Sequence, residues 1–422
     1  MGDLVRSFGA YTEKQMTPHP VYARRLLLAA YRAYGLKLQL LPSRALPPSK
    51  RYLARVSMEC MVRPLSHPSR QILTSVFTPC EIFHAMDLYP MCAEQFATYT
   101  NGAGAEHGLI EAAERAGISE TFCSYHKAVT GAAVSGVLPK PLAIVNTSLA
   151  CDANNLTFRK AAELLGAPQY YIDVPWQTDA AAVEYVAEQL REMAAWLCDV
   201  AGQKLSQERL RESVERSRRT IRTLWKVLPL RRERYVPTDL TSDMDEVLMV
   251  HYALGMPETL RYAEMLLQDY ERAQEKPGKK ILWLHSNPFY QKAVQSFFNY
   301  SRDPFLALTE MCYDPLLLSE ETDPWRAMAE RLVMNSFNGP VERRIGRAVQ
   351  MAGLTGADGA VLFCHWGCKQ TCGAAATIRA ALEEKGIPTL IQNGDGVDPR
   401  HAPDGHTSTR IGAFLEMLEG MP

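Results

Sequence analysis

Three cysteines stand at positions where a thiol can do chemistry. Cys151 and Cys368 each lie just after a predicted strand and just before a predicted helix, and Cys123 lies in a third loop, beside His126 and Lys127. In open α/β sheets ligands bind outside the carboxyl ends of strands, and the partial positive charge of a helix N-terminus favours a thiolate over a thiol. Three thiolates leave one position of a tetrahedral site open, which is how metals are held for chemistry rather than for structure. The pattern predicts a metal or cluster site, and soft thiolates favour an iron–sulfur cluster or zinc.

The simpler interpretation is that these cysteines are buried core thiols, because free cysteine is among the most buried residue types. The sequence contains no C-x-x-C pair that would strengthen the metal interpretation. Cys198, in the apolar helical segment AAWLCDV, is predicted to be an inert core thiol. His126 and His365 are candidate acid–base groups or groups that orient a cofactor, and His126 is alternatively a surface loop residue. Asp395 and Asp398 are predicted to be turn and cap residues rather than catalysts.

The elements that must position these residues follow an alternating pattern. Short apolar runs are each followed by a turn and a helical segment, as in the strands predicted at 141–149, 280–285 and 359–364. This alternation predicts βαβ units and parallel sheets, and near-continuous apolar strands indicate sheets covered on both faces. The fold class is therefore predicted to be α/β, with two Rossmann-like (flavodoxin-like) parallel-sheet domains, an N-terminal helical segment and connecting helices. The predicted boundaries are 1–65 for the helical segment, 66–225 for the first α/β domain and 226–422 for the second.

Three further strands are predicted on the same grounds. They are ILTSVFT, at 72–78, and the runs that end at Asp173 and near Asp395. Between the two halves, the polar stretch 178–275 carries charge runs such as QERLRESVERSRR. Its amphipathic part is predicted to form solvated helices that connect the domains.

Charge and composition exclude several classes of function. The 46 basic and 47 acidic residues nearly cancel, to a net charge of −1, whereas a nucleic-acid binder usually shows a basic excess or a basic face. No stretch of about 18 apolar residues is present, so no membrane span is predicted. The N-terminal segment MGDLVRSFGAYTEKQ lacks the apolar core of a signal peptide. A cytoplasmic protein without a disulfide framework is expected.

An ordered set of motifs runs through the chain from about residue 70 to residue 420. It consists of Pro79-x-Glu81, Cys123-Ser124 with Lys127, Cys151-Asp152, Asp173-Val-Pro175, His365-Trp-Gly-Cys368-Lys369, Gly386-Ile-Pro388, Asp395 with Asp398, and Thr409-Arg410. In this order the motifs resemble the 2-hydroxyacyl-CoA dehydratase family, which includes the benzoyl-CoA reductase subunits. The ordered set is far more specific than any of its parts.

The resemblance implies a cofactor and partners. It implies that Cys123, Cys151 and Cys368 hold a 4Fe–4S cluster with one iron left open. It further implies a separate ATP-hydrolysing activator that injects one low-potential electron, and a dry cleft in which an acyl-CoA thioester becomes a ketyl radical and expels a β-hydroxyl. Lys127 and Lys369 would favour anionic thiolates or a CoA phosphate, or are simply solvated. The expected assembly is a homodimer, or a heterodimer with a related subunit.

Extra cysteines leave an alternative open. Cys364, Cys368 and Cys372 would share one face of a helix, and Cys80 lies at another predicted strand-to-helix turn. Together with Cys123 and Cys151 they make six thiols. A branch of the family resembles the double-cubane proteins, which reduce small molecules with electrons whose delivery depends on ATP. Six thiols are enough to hold the 8Fe–9S cluster of those proteins. A non-catalytic zinc protein or an electron relay is the third interpretation, although relays normally close all four positions with cysteine.

The sequence makes a testable prediction about ATP. It contains no G-x-x-x-x-G-K-[ST] loop, and its glycine stretches, such as GAAVSGVLPK at 131–140, do not bring Gly, Lys and a hydroxyl residue together. Tight triphosphate binding needs a ring of backbone N–H groups with a lysine at the phosphates. We therefore expect the isolated chain neither to bind nor to hydrolyse ATP. Micromolar binding by calorimetry, or hydrolysis by a preparation free of other proteins, contradicts this expectation.

Overall fold

The chain begins with three helices. The computed structural model describes residues 3–420, and its first helices are α1 (Asp3–Met16), α2 (Pro20–Leu40) and α3 (Pro48–Ser66). Proline stands at the start of α2 and α3, where its missing N–H costs no helical hydrogen bond and its fixed φ suits the helix. The helices place Leu27 and Tyr31 in a core that also contains Leu73 and Ile144 of the first sheet. The N-terminal helical segment therefore covers one face of that sheet.

The first sheet has four parallel strands. They are β1 (Gln71–Thr74), β2 (Tyr89–Cys92), β3 (Ala143–Thr147) and β4 (Gln169–Ile172), in the order β2-β1-β3-β4. The helices that alternate with them are α4 (Glu81–Ala85), α5 (Ala93–Gly102), α6 (His107–Arg115), α7 (Ser124–Ser135) and α8 (Asp152–Leu165). Ile72 and Val145 point into one core, and their neighbours Leu73 and Ile144 into another. Burial of both faces explains the adjacent apolar residues of β1 and β3, which are buried along their whole length.

Four helices follow the first sheet. They are α9 (Ala180–Ala201), α10 (Gln207–Leu230), α11 (Leu240–Tyr252) and α12 (Pro257–Arg272). Asp179 and Ser206 cap α9 and α10 by accepting a backbone N–H with their side chains. The prediction of solvated connecting helices is wrong for α11, in which nearly every residue is buried, including Asp243, Asp245 and Glu246. These charged residues bond to partners inside the protein, which a sequence pattern cannot distinguish from solvation.

The second sheet repeats the first. Its parallel strands are β5 (Lys280–Leu284), β6 (Phe305–Thr309), β7 (Gly359–His365) and β8 (Thr389–Gly394), in the order β6-β5-β7-β8. Its helices are α13 (Lys292–Phe298), α14 (Pro324–Val333), α15 (Val341–Thr355), α16 (Lys369–Cys372), α17 (Ala375–Glu384) and α18 (Asp404–Glu419). Both sheets therefore have the strand order 2-1-3-4 that opens a flavodoxin-like fold. The predicted α/β class with two Rossmann-like domains is confirmed.

Two strands escaped the sequence prediction, and both lie at a sheet edge. β2 has the sequence YPMC, and a proline argues against a strand unless the strand is at an edge. β6 is a short run between SRDP and EMCYDP.

The predicted domain boundaries stay a prediction, with the first sheet inside 71–172 and the second inside 280–394. Among the helices of residues 3–420, none combines the length and the apolar character needed to span a bilayer.

A buried ion-pair network ties the N-terminal helices to the centre of the protein. Lys50 of α3 donates to Glu246 of α11, which also accepts from Arg231 at 3.1 Å and from the hydroxyl of Tyr262 at 2.7 Å. All of these side chains are nearly inaccessible to water. Removal of one partner would leave a buried charge without full compensation.

We expect Lys50→Met to lower the free energy of unfolding by about 3–5 kcal/mol, since it removes the cation but keeps most of the volume. Urea unfolding followed by circular dichroism measures the change. Lys226→Met, on the exposed face of α10, is the matched control and should shift the free energy by less than about 0.5 kcal/mol. Equal effects of the two substitutions would contradict the assignment of Lys50 to a stabilising network.

Candidate functional site

A cavity of about 580 Å³ lies where the carboxyl ends of the two sheets face each other. Its walls include the segments that follow β1, β2, β3, β5, β6 and β7, the start of α7, and part of α11. In each sheet the strand order reverses beside the first strand, and such switch points are where open α/β sheets bind ligands. Repetition of one topology in both halves thus produces two switch points that share a single cavity.

The three predicted cysteines all line this cavity. Each is the residue that immediately precedes a helix: Cys123 before α7, Cys151 before α8 and Cys368 before α16. The sulfur of Cys151 accepts the backbone N–H of Asn154 at 3.3 Å. Within residues 3–420, no three His, Cys, Asp or Glu side chains converge closely enough to bind a single metal ion. The thiols therefore surround a shared space rather than a shared point.

Burial controls the charge of these thiols. It raises the pKa of Cys123, Cys151 and Cys368, and the proximity of Cys151 and Cys368 raises the pKa of Cys123 further. The expectation that helix N-termini favour thiolates is therefore not met by the protein alone, because the loss of hydration outweighs the helix dipole. Three thiolates can coexist here only if a cationic group among them offsets their repulsion.

A histidine accompanies each of the three cysteines. The Nε2 atom of His365 lies 3.3 Å from Cys123 Sγ, that of His126 lies 3.6 Å from Cys151 Sγ, and that of His285 lies 3.6 Å from Cys368 Sγ.

The sequence predicted two of these histidines. His126 and His365 are both buried, so His126 is not a surface loop residue. His285 was missed. It directly follows β5, much as Cys368 comes soon after β7, but a single histidine at a strand end is a weak signal in a sequence.

The protonation of His365 follows from its contacts. The backbone N–H of Gly396 donates to Nδ1 at 3.0 Å, so Nδ1 is an acceptor and the neutral ring carries its proton on Nε2. Burial lowers the pKa of His365, which keeps the ring neutral at pH 7. The Nε2–H group therefore donates to Cys123 Sγ. Burial also lowers the pKa of His126 to about 3, so neither histidine is a general acid near neutral pH.

His285 is held by a buried ion pair. Its φ of 76° is in the left-handed region, which is unusual for a residue with a side chain and indicates that its surroundings fix the backbone. Its backbone N–H donates to Glu310, which forms a two-fold ion pair with Arg344 at 2.7 Å on both sides. Arg344 also donates to the carbonyl of Gln370, two residues after Cys368. One guanidinium thus positions both the histidine and the cysteine loop.

The two domains meet closely at Cys123. The loop after β7 passes so near that a Cβ on Gly367 would lie 2.7 Å from the carbonyl carbon of Phe122, and Gly367 has a φ of 79°. Asp395 accepts from the hydroxyl of Ser124 and from the backbone N–H groups of Val397 and Asp398. As predicted, Asp395 is a turn residue, and it also anchors the residue after Cys123.

The remaining three candidate cysteines are placed differently. Cys372 lines the cavity and is exposed, whereas Cys80 and Cys364 are not part of its wall. Cys80 is fully buried and its thiol donates to the carbonyl of Thr78. Cys364 lies in β7, and its sulfur is 3.4 Å from that of Cys372. Hydrogen bonding from Cys364 lowers the pKa of Cys372 to about 7.

Glu94 is a cavity residue that the sequence reasoning missed. It follows β2, the unrecognised edge strand, so the signal that marks strand ends was hidden with the strand. Burial raises the pKa of its carboxyl to about 7. Its Oε1 lies 3.9 Å from Nε2 of His126. A carboxyl with this pKa can give or take a proton near neutral pH.

The two candidate lysines are in different environments. Lys127 is fully buried, bonds to Glu114 at 2.8 Å and is not part of the cavity wall. Lys369 lines the cavity, is mostly exposed and pairs with Asp152 of the other domain at 3.3 Å. Of the two, only Lys369 is available to an anionic ligand that approaches the cavity.

Comparison with known proteins identifies the family to which the chain belongs. The family model for the 2-hydroxyglutaryl-CoA dehydratase D-component matches residues 75–418. The chain belongs to this family. The resemblance inferred from the ordered motifs is thereby confirmed.

Three relatives extend the family's range. The chain is 20% identical to the (R)-phenyllactyl-CoA dehydratase alpha subunit of Clostridium sporogenes, over 81% of this chain and 87% of the relative. It is 22% identical to the lactoyl-CoA dehydratase alpha subunit of Anaerotignum propionicum, over 76% and 85%. It is 23% identical to the B subunit of benzoyl-CoA reductase from Thauera aromatica, over 83% and 90%. Members of this dehydratase and reductase family are enzyme subunits.

The close approach at Gly367 generates a prediction. Gly367→Ala should lower the free energy of unfolding by about 2–4 kcal/mol, since it adds both a steric overlap and a left-handed alanine. Thermal and urea unfolding measure the effect. Gly346→Ala is the control: Gly346 lies inside α15 with open space around its Cα, so this substitution should stabilise by about 0.5–1 kcal/mol. A neutral Gly367→Ala would show that the two domains are not packed this closely.

Proposed function

We propose that this chain is the cluster-bearing subunit of an enzyme that dehydrates or reduces an acyl-CoA. In this proposal Cys123, Cys151 and Cys368 hold a 4Fe–4S cluster through three thiolates. The observation that carries it is the convergence of three thiols, from both domains, on one cavity at the switch points of two sheets. The names of the relatives, which are subunits of CoA dehydratases and of a CoA reductase, support the substrate class.

The residues present fit such a group. The donors are soft thiols that surround a shared space. Because burial raises their pKa values, all three can be thiolates only when a cationic group lies among them. When bound, a cluster of this kind supplies one electron at a time and an iron with an open coordination position. The three thiols fit zinc less well, because a zinc site needs ligands that converge on one ion.

The chain's own residues prepare the site in two ways. His365 donates its Nε2–H to Cys123 Sγ, and such a hydrogen bond stabilises the charged form of the sulfur. The apolar side chains of Val76, Phe77 and Phe337 line the cavity and limit the access of water. The lowered pKa values of His126 and His365 favour an orienting role over the acid–base role also considered for them, while Glu94 can give or take a proton at the cavity wall.

The proposal includes partners. A related subunit is proposed because each of the three relatives is named as one subunit of an enzyme. A separate ATP-hydrolysing activator is proposed because the sequence offers no phosphate loop. An acyl-CoA is the proposed substrate, with its thioester in the cavity.

We expect Cys123→Ser, Cys151→Ser and Cys368→Ser each to lose most of the bound iron and the activity, because a site with three thiolates has no spare ligand. Iron and acid-labile sulfide are counted per chain after purification without oxygen. Cys198 is half-buried in α9 rather than in the core as the sequence predicted, and it lies outside the cavity wall, so Cys198→Ala is the control and should keep its iron. A colourless protein that contains zinc, or a Cys198→Ala protein that loses iron while Cys151→Ser keeps it, contradicts the proposal.

The iron count also separates one cubane from two. Four irons and four sulfides per chain are expected for the proposed cluster, and about eight irons for the double cubane. The arrangement favours the smaller cluster, because Cys80 and Cys364 are not part of the cavity wall. Removal of Cys80, Cys364 and Cys372 together should leave the iron content unchanged. A loss of half of the iron in that triple variant would establish the double-cubane alternative.

A further inference from the structure

Two thiols beside the cavity lie in contact with each other. Cys364 Sγ and Cys372 Sγ are 3.4 Å apart, although the residues are eight positions apart in the chain. Cys364 is near the end of β7, just before His365, and Cys372 is the last residue of α16. The segment between them carries His365, Gly367 and Cys368, and so carries much of the candidate site.

The two thiols differ in exposure, and this difference would let Cys372 react first with a small molecule and Cys364 react second. Cys372 is exposed at the rim of the cavity, where a small molecule can reach it, while Cys364 is buried behind it. The thiol of Cys364 donates to Cys372 Sγ, and the thiol of Cys372 donates to the carbonyl oxygen of His365 at 3.3 Å. An exposed attacking thiol backed by a buried second thiol is the arrangement used in thiol–disulfide exchange.

Cys368 is not the natural partner of either thiol. Its sulfur faces Nε2 of His285 at 3.6 Å and the hydroxyl of Thr371 at 3.7 Å. The backbone N–H of Cys372 donates to the carbonyl of Cys368, which fixes the turn between them. The short contact therefore selects Cys364 and Cys372 as a pair and leaves Cys368 to the cavity.

We propose that Cys364 and Cys372 form a reversible dithiol–disulfide pair at the rim of the cavity, with a small-molecule disulfide of the glutathione type as its oxidant. The Cys372 thiolate attacks one sulfur of the oxidant, forms a mixed disulfide and releases one thiolate, which takes up the proton that Cys372 lost. Cys364 then attacks Cys372 Sγ, and its proton leaves with the second released thiol. Two protein thiols are oxidised, and one disulfide is reduced to two small thiols.

Formation of this disulfide needs little movement. The sulfurs must close from 3.4 Å to about 2.0 Å, a shift that side-chain rotation and a small adjustment of the short helix α16 can supply. The product closes a loop around Cys368 and His365, and so makes the conformation of the proposed cluster loop depend on the thiol–disulfide balance. This inference adds regulation to the proposed function, but the reaction itself needs only the two thiols.

Oxidation of the full chain, purified without oxygen, tests the pair. The protein is incubated anaerobically with oxidised glutathione, free thiols are alkylated, and the digest is analysed by mass spectrometry. We expect a linkage between Cys364 and Cys372, loss of two free thiols per chain, and reversal by dithiothreitol. Cys198→Ala, which changes a half-buried cysteine elsewhere, should form the same linkage.

Single variants test the order of the steps. In Cys364→Ala the mixed disulfide of Cys372 with glutathione should accumulate, because the second thiol that resolves it is missing. In Cys372→Ala neither the linkage nor glutathione on Cys364 should appear, and both variants should keep their iron. The proposal is overturned if no linkage forms in the wild-type chain, if the linkage contains Cys368, or if either variant loses iron, which would make the pair cluster ligands. A failure of the proposed function would be seen in a different measurement: the bound iron would remain after Cys123, Cys151 or Cys368 is replaced.

Discussion

The close packing of the loop after β7 against the start of α7 is the contact on which the site depends. At Gly367 a side chain would collide with the backbone of the other domain, so the two backbones leave no room even for a methyl group. This approach places Cys368, which follows Gly367, at the same cavity as Cys123. The Ser124–Asp395 hydrogen bond and the Lys369–Asp152 pair connect the same two domains on either side of it. A site built from both domains requires a contact that tolerates almost no displacement, and a glycine in the left-handed region provides it.

Removal of water sets the protonation states around this contact. Burial disfavours charge, so it raises the pKa of the three cysteine thiols and lowers the pKa of the neighbouring histidines. The result is a neutral His365 ring that donates a hydrogen bond to Cys123, beside sulfurs that become anionic only with a cationic partner. The fixed tautomer of His365 shows how a backbone amide in one loop decides which ring nitrogen faces a sulfur in another. Glu310 and Arg344 differ from these groups, since the two buried side chains bond to each other as an ion pair.

Those parts of the molecule that follow from local pattern were predictable from the sequence. Apolar runs bounded by turns indicated six of the strands, and the strand-to-helix turns pointed to Cys151 and Cys368. β2 was not predictable in the same way, because it contains a proline and pairs with a neighbouring strand on one side only. With β2 went Glu94. His285 was missed because a single histidine after a strand carries no distinctive signal until its distance to Cys368 is known. The buried helix α11 looked polar because its charges are paired with residues far away in the sequence.

The two halves share a topology, yet they do not contribute equally to the cavity, and this difference is chemically useful. The third strand of each sheet is followed by a cysteine, Cys151 after β3 and Cys368 after β7. The helix that leads into the third strand differs. In the first half α7 begins directly after Cys123, whereas in the second half the first turn of α15 carries Arg344, which bonds to Glu310 and to the Cys368 loop. The departure from symmetry therefore gives the cavity a third cysteine from the first domain, and it gives the second domain a buried ion pair that fixes both His285 and the Cys368 loop.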